Sequence, residues 1–534
     1  MATGDARGYP WRDAALLVLL VVAAHWLRAG ELPVRGEEGL RAQIGLEMAR
    51  SGDWVVPRVQ GEPFLSRPPL HNWLIAASCA AFGGPSAWAI RFPSLLAALL
   101  TVLLVHGYAR TFLPRLGAFA AGAACATFAE MFTTYAQAET EAVFILLVAA
   151  SLLVWHHGFT RGWPDLLLWP TAYALIALAM LAKGPQPPVY FAGAVGGWLL
   201  LTGQWRKALT LGHLAGIALC AALVAAWWVP CVQRIGRDAT WVVFAGDSQG
   251  RFRGWTLDAV LSHLAVFPAE TLACTLPWSP ALLAFLLPSV RRALPATGHS
   301  SFLALACGLA FLSIWIPPAG MTRYYAPLYP CLAVLIGAAL AACAEQGVLA
   351  RASAVLVPGI LGLAAFVALA PFAAPGTAVA EKPLPGLVLA LALAACALPL
   401  LRRPGEGWAF VPALALFAAL AVGGAMANVR ARWLQDAGPA VARIKAALPP
   451  GTRLASIGQM RSLFLYHFGD PVEPRPIDGI EEGGYFVTPS NPAAPPHLPF
   501  AWEVVGFVSL DRRRSEKPAQ LLVVGRRLPA LAGR

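Results

Sequence analysis

Apolar residues run through this chain in blocks of about 20, separated by short polar turns, the pattern of helices that cross a membrane. The blocks fall near 13–29, 70–83, 88–109, 116–135, 142–157, 165–182, 186–202, 208–230, 270–289, 301–318, 325–344, 352–372, 385–401 and 408–427. After residue 428 the pattern changes. Short alternating runs ("RLASIG", "GYFVT", "WEVVGFVSL", "QLLVVG") predict strands, and helices are expected at about 438–447 and 460–468. "PSNPAAPPHLP" (489–499) reads as a loop by its prolines. Two domains follow: a helical membrane domain over 1–427 and a small α/β domain over 428–534. No internal repeat or low-complexity tract is apparent.

Composition supports this reading. The 534 residues are 58% hydrophobic and 13% charged, with a mean hydropathy of +0.62, which excludes a soluble protein. The net charge of +12 fits basic loops at lipid headgroups, with membrane lipid rather than nucleic acid as the partner. Nine cysteines lie almost wholly inside apolar blocks without a CxxC pair, against a disulfide framework or zinc site. The first block follows Arg7 and Arg12 but shows no cleavage site, so it reads as an uncleaved first helix.

Lysine and arginine in short loops set the orientation, because they favour the cytoplasm. Such positions are the N-terminus, Arg110 with Arg115, Arg161, Arg206 with Lys207, Arg291 with Arg292, Arg351, and Arg402 with Arg403. They share one side only if one block fails to cross. The block 70–83, short and opening on His71 and Asn72, is expected to be interfacial or re-entrant, leaving about thirteen spans. The outer face then receives the first loop (31–87), a long loop (231–268) and the C-terminal tail. It also receives Glu37, Glu38, Arg67, Arg91, Glu139, Glu141, Lys183 and Arg323. Lys183 and Arg323 break the positive-inside tendency, and charges that do so at membrane level are usually paired or functional.

Each of these residues also has a plain structural reading. Glu37 and Glu38 in "LPVRGEEGLRAQ" fit an ordinary polar loop, followed by a short amphipathic helix over 39–50 lying on the membrane. Prolines in "SRPPL" hold Arg67 rigidly. Glu139 and Glu141 in "TYAQAETEAVF" suit a helix N-terminus. Lys183 in "LAKGP" is able to snorkel, and Tyr324 and Tyr325 in "RYYAPLYP" fit an aromatic belt. His263, Arg251 and Arg253 sit in the long outer loop, where a lid or acceptor role competes with ordinary packing. Together they describe acids and cations meeting at one membrane face. No GxSxG, Walker A, GxGxxG or HExxH motif is present. Glycosyl transfer from a lipid phosphate fits: a carboxylate takes a proton from the acceptor while cations stabilise the departing phosphate. Two acidic loops are also able to hold Mg²⁺ or Mn²⁺, which carboxylates alone do not establish.

At these residues the chain resembles the GT-C glycosyltransferases, in particular the lipid A aminoarabinose transferase and protein O-mannosyltransferase branch. "EEGLRAQIGLEMARSGDWVVP" is similar to that branch's Asp-Glu segment, with Glu37 in the Asp place. "SRPPLHNWL" matches its Glu-Lys-Pro-Pro-Leu stretch, with Arg67 in the Lys place and Ser66 in the Glu place. "AIRFPSLLAAL" carries Arg91, "AETEA" the second acidic pair with Glu141 ahead of Glu139, and "LAKGP" and "RYYAPLYP" follow closely. The resemblance implies a GT-C fold with a polyprenyl-phosphate-sugar donor and inverting single displacement. Glu37 would be the base, with Arg67, Lys183, Arg323 and Tyr325 on the phosphate. It implies an active site outside the cytoplasm of a bacterial-type inner membrane and a glycolipid or lipopolysaccharide acceptor. A protein acceptor, a lipid-linked sugar transporter or flippase, and a scaffold that binds without turnover are the alternatives. The His pair of the aminoarabinose branch is met here only by His263, which leaves the sugar open.

Overall fold

The computed structural model describes residues 10–241, 255–295, 298–373, 383–427, 436–490, 496–510 and 521–529. Its elements, in order, begin with α1 (Pro10–Val21, continued by a π turn over Val22–Trp26), α2 (Gly36–Ser51) and α3 (Leu70–Ala81). They continue with α4 (Ala87–Ala109), α5 (Arg115–Thr127), α6 (Met131–Thr134), α7 (Glu141–Thr160), α8 (Asp165–Lys183), α9 (Pro187–Leu201) and α10 (Leu211–Ile235). Among the described residues nine helices are long and apolar enough to cross a membrane, and the chain is a polytopic helical membrane protein. The shorter apolar helices α1, α5, α9 and His299–Trp315 stand among them.

Thr322–Glu345 is the axis of the bundle, with 94% of its most apolar stretch buried. Small residues make that possible. A Cβ on Gly337 would collide with the carbonyl oxygen of Gly117, so α5 and Tyr329–Glu345 approach nearly backbone to backbone. Leu257–Cys274 and α10 form the rim and turn leucines such as Leu214 and Leu261 outward. The basic turns carry their own pairs: Arg115 meets Asp13 at 2.7 Å, and Lys207 meets Asp165 at 2.9 Å.

α3 has 12 residues, which rise about 18 Å against a hydrocarbon core of about 30 Å. It packs between α2 and α4. α2 differs from the surface helix expected. A Cβ on Gly45 would stand 2.7 Å from the carbonyl oxygen of Asn72 in α3, so those two helices touch through backbone. The other side of α2 is covered by the tail: Ile44 and Met48 share a core with Val441, Phe464, Phe468, Val487 and Val524. The apolar stripe that predicted a lipid-facing helix faces protein.

In the tail, β3 (Leu454–Ile457) pairs in parallel with β4 (Val472–Arg475) and β5 (Tyr485–Ser490), after the short hairpin of β1 (Arg58–Val59) and β2 (Glu62–Pro63). β7 (Leu521–Arg527) is antiparallel to β5 and to β6 (Trp502–Ser509), giving the order β4-β3-β5-β7-β6. Helices Gly438–Ala447 and Ser462–Phe468 pack on the sheet and α2. The hairpin tip is a latch. Gln60, at φ 53°, gives its amide to Ser456 Oγ (2.9 Å) and to the Val472 carbonyl (3.0 Å), and accepts from the Met460 N–H (2.6 Å).

The long outer loop expected over 231–268 is shorter than the sequence suggested. α10 runs to Ile235, and Leu257–Cys274 is helical, started by Thr256, whose hydroxyl accepts from the Ala259 N–H at 3.2 Å. The expected span over 270–289 breaks at "TLPW", where Pro277 removes a donor. The apolar span therefore lies earlier, over 257–274.

A buried ion pair ties the segment that follows the first helix to the bundle. Arg91 on α4 and Glu38 on α2 are both wholly buried. Arg91 Nε and Nη2 donate to the two carboxylate oxygens at 2.7 and 3.1 Å. Arg91 also donates to the carbonyls of Ala29, Leu32 and Pro33 at the end of the first helix. Glu38 further accepts from the backbone N–H of Ala138 (3.0 Å) and of Arg35 (3.1 Å). Removing one partner of such a pair costs about 3–5 kcal/mol. Arg91→Met is expected to lower the thermal unfolding midpoint in detergent accordingly. Glu38→Met with Arg91→Met should recover little, because backbone groups from three segments lose their partners. An unchanged midpoint in the single variant would refute this role.

Candidate active site

α2 begins after Arg35 and presents Glu37, Glu38 and Arg41 within its first two turns. Glu37 and Arg41 are spaced i,i+4, so they meet on the helix surface: Arg41 Nη2 donates to Glu37 Oε2 at 3.0 Å. The loop between α6 and α7 brings in Glu139, Thr140 and Glu141, the last opening α7. Lys183 ends α8 and reaches Glu141 Oε1 at 2.9 Å, while the Thr140 hydroxyl donates to its other oxygen at 3.1 Å. Lys183 is 1% exposed and lies over the rings of Phe144 and Tyr324.

These side chains enclose a cavity of about 240 Å³, lined by Glu37, Arg41, Ser66, Arg67, Glu139, Thr140, Glu141 and Arg323. A second cavity of about 730 Å³ shares Glu37, Glu139, Glu141 and Arg323 with it. The second is walled by Glu130, Thr133, Thr134 and Gln137 on the bundle side, and by Arg461, Ser462, Leu463 and Leu510 from the tail. A third, mostly apolar groove of about 690 Å³ runs along the π turn of the first helix beside Leu389 and residues 419–427. It meets the second cavity at Arg35, Thr133 and Gln137. Polar chamber and greasy groove are thus contiguous.

Burial and the neighbouring Glu141 push the Glu139 carboxyl up to about 7, against the opposing pull of Arg35. Burial pulls the Arg41 guanidinium below its ordinary value, and Glu37 opposes that shift. Among the described residues no three His, Cys, Asp or Glu side chains gather so as to hold a metal ion. The carboxylates Glu37, Glu38 and Glu141 each face a guanidinium or an ammonium group.

Of the expected site residues, Glu37, Glu139, Glu141, Arg67 and Arg323 line one chamber. Lys183 stands one layer behind, holding Glu141. Three expectations need correction. Arg91, expected on the phosphate, is wholly buried and spends its donors on Glu38 and three carbonyls. Glu38, grouped with the catalytic acids, is the other half of that pair. Tyr325 donates its hydroxyl to the Cys307 carbonyl inside the bundle, at 3.1 Å. Tyr324 is a buried shelf over which Lys183 and Arg323 lie. His263 is in a rim helix, 3.4 Å from the Ile314 carbonyl and packed on Phe267. Arg251 and Arg253 lie outside the described residues. Arg41, Glu130 and Arg461 escaped sequence reading. The i,i+4 spacing to Glu37 was a usable signal for Arg41. Arg461 is brought in only by folding of the tail.

Residues 66–229 match the family model described as dolichyl-phosphate-mannose-protein mannosyltransferase. The chain is 30% identical over 407 residues to the undecaprenyl phosphate-alpha-4-amino-4-deoxy-L-arabinose arabinosyl transferase of Pseudomonas aeruginosa, covering 72% of this chain and 70% of that one. An uncharacterized protein of Aquifex aeolicus is 27% identical over 301 residues, of whose length the chain spans 58%. The fold is similar to crystal structures of ArnT from Cupriavidus metallidurans. In the apo state the TM-score is 0.69 at 18% identity, with 99% of each chain covered. Bound to undecaprenyl phosphate it is 0.68 at 19%, with 99% of this chain and 100% of that one covered. A polytopic bundle with acids and cations around one chamber, and a relative matched over most of both lengths, place the chain in the aminoarabinose transferase family of GT-C glycosyltransferases.

Proposed function

We propose that this protein moves a sugar from a polyprenyl-phosphate donor to an acceptor of the cell envelope, at the outer face of a bacterial-type inner membrane. The chain would cross about thirteen times, with tail and chamber outside the cytoplasm. The observation that carries the proposal is the chamber itself, where a carboxylate on α2 stands among guanidinium groups, beside an apolar groove suited to a polyprenyl chain. The name of the undecaprenyl-phosphate-bound relative supports the same donor chemistry.

In the proposed reaction the acceptor hydroxyl attacks the anomeric carbon from the face opposite the phosphate. The O–H proton passes to Glu37. The bond from the anomeric carbon to the phosphate oxygen breaks with its electron pair on the phosphate, leaving a polyprenyl phosphate and inverting the anomeric centre. Charge grows on that phosphate, so the site needs a surplus of fixed cations. With Glu139 neutral there is one: Arg41, Arg67, Arg323 and Lys183 stand against Glu37 and Glu141. Charge stabilisation is assigned to these groups. A lipid or lipopolysaccharide acceptor is what the resemblance to the lipid A aminoarabinose branch implies, while the mannosyltransferase family match supports a protein acceptor as the second reading.

Glu37→Gln is expected to lower transfer by roughly 10²–10⁴-fold, the usual contribution of a general base, with normal membrane insertion. Full activity in that variant would end the assignment. A second expectation concerns pH. Glu139 is neutral below about 7 and charged above it, and a new carboxylate beside a bound phosphate repels it. Affinity for a polyprenyl phosphate, measured against that of Glu139→Gln, should therefore fall as pH rises from 6 to 8.5, by at most about tenfold per unit. A constant ratio would contradict it. Mass spectrometry of envelope glycolipids and glycoproteins, with and without the gene, is expected to show loss of one sugar from a glycolipid. Loss from a protein instead would assign the protein acceptor.

A further inference from the structure

Two polar atoms on the wall of the 240 Å³ cavity, Arg41 Nη1 and Ser66 Oγ, are buried and find no hydrogen-bond partner among the described residues. An orphaned buried donor is costly, and a buried guanidinium nitrogen especially so. The Arg41 side chain is only 6% exposed, and its other terminal nitrogen, Nη2, is held by Glu37 at 3.0 Å. Arg67 and Arg323 line the same wall, so three guanidinium groups stand around the cavity together with Glu37, Glu139 and Glu141. A small cavity with three guanidinium groups and two unspent donors suits a tetrahedral oxyanion.

We propose that Arg41 and Ser66 are ligands of the donor phosphate, and that Arg41 bridges the phosphate to the base. This rests on the donor assignment above. Nη1 and Ser66 Oγ each donate to a phosphate oxygen, while Nη2 keeps the Glu37 carboxylate beside the acceptor. The bridge has an electrostatic consequence. When Glu37 takes the acceptor proton it loses its charge, and Arg41 loses its anionic partner. At that moment the leaving phosphate gains charge within reach of the same guanidinium. One planar cation serves both anions in turn, which the single point charge of a lysine does not reproduce.

The test compares binding of farnesyl phosphate, farnesol and inorganic phosphate to the purified full chain in detergent, with transfer kinetics in parallel. Wild type should bind farnesyl phosphate well above both the alcohol and the free ion. Ser66→Ala should weaken farnesyl phosphate roughly tenfold and Arg41→Gln roughly 10- to 100-fold, with farnesol unchanged. Ser66→Val, which removes the donor and fills its place with a methyl group, should weaken it at least as much. Arg41→Lys should keep part of the binding but lose more in kcat than in KM. Should the Arg41 variants fail to insert, the two Ser66 variants carry the test. Unchanged discrimination between farnesyl phosphate and farnesol in Ser66→Ala and Ser66→Val would overturn the inference while leaving the donor assignment standing. Wild type binding farnesol as tightly as farnesyl phosphate would overturn the donor assignment itself. Inorganic phosphate competing at equal concentration would assign the cradle to free phosphate and overturn the lipid source.

Discussion

The ion pair of Glu38 with Arg91 is the constraint on which the chamber depends. Two charges buried together are stable only when every remaining donor and acceptor is met. Here the completing groups come from the end of the first helix, from the turn before α2 and from the segment leading to Glu139. Satisfying one arginine thus helps set the relative position of three backbones, which also pack together through Val34, Ala42, Ile90 and Ala138. Glu37 is placed because its neighbour in sequence is immovable. Adjacent glutamates of one helix therefore do different work: one faces α4 and fixes geometry, and the other faces the cavity.

A similar division holds among the cations. Lys183 pairs with Glu141 from behind the wall and holds it in place. Arg67 and Arg323 line the front. Burial beside another carboxylate moves the titration of Glu139 into the neutral range. The charge balance of the chamber is therefore adjustable by one proton: ionising Glu139 narrows the excess of cations without removing it.

Much of this was legible in the sequence, for definable reasons. Helix blocks, the short length of α3 and the strands of the tail all follow from local periodicity, which a single segment carries by itself. The convergence of Glu37, Arg67, Glu139, Glu141 and Arg323 followed from loop charge, because orientation in a membrane is a one-dimensional problem. What failed was depth. Whether an arginine such as Arg91 lies on the cavity wall or behind it depends on packing a few ångströms thick, and charge counting has no such resolution. Tyr325 failed for the same reason, since its hydroxyl turns to the Cys307 carbonyl. The amphipathic stripe of α2 was seen correctly as a stripe, but periodicity does not say whether lipid or protein covers it.

What covers it has a consequence for how this protein changes over evolution. The helix that bears Glu37 shares its apolar side chains with the tail, and Gln60 bolts the loop between α2 and α3 into the tail sheet. The tail is therefore not an exchangeable attachment that a lineage can swap. Substitutions at Phe464, Val487 or Val524 are answerable to Ile44 and Met48 across the interface, so the two must drift together. Arg461 and Ser462 stand on the cavity wall, outside that shared core. Diversification has its room there, in a few side chains on an otherwise co-inherited frame.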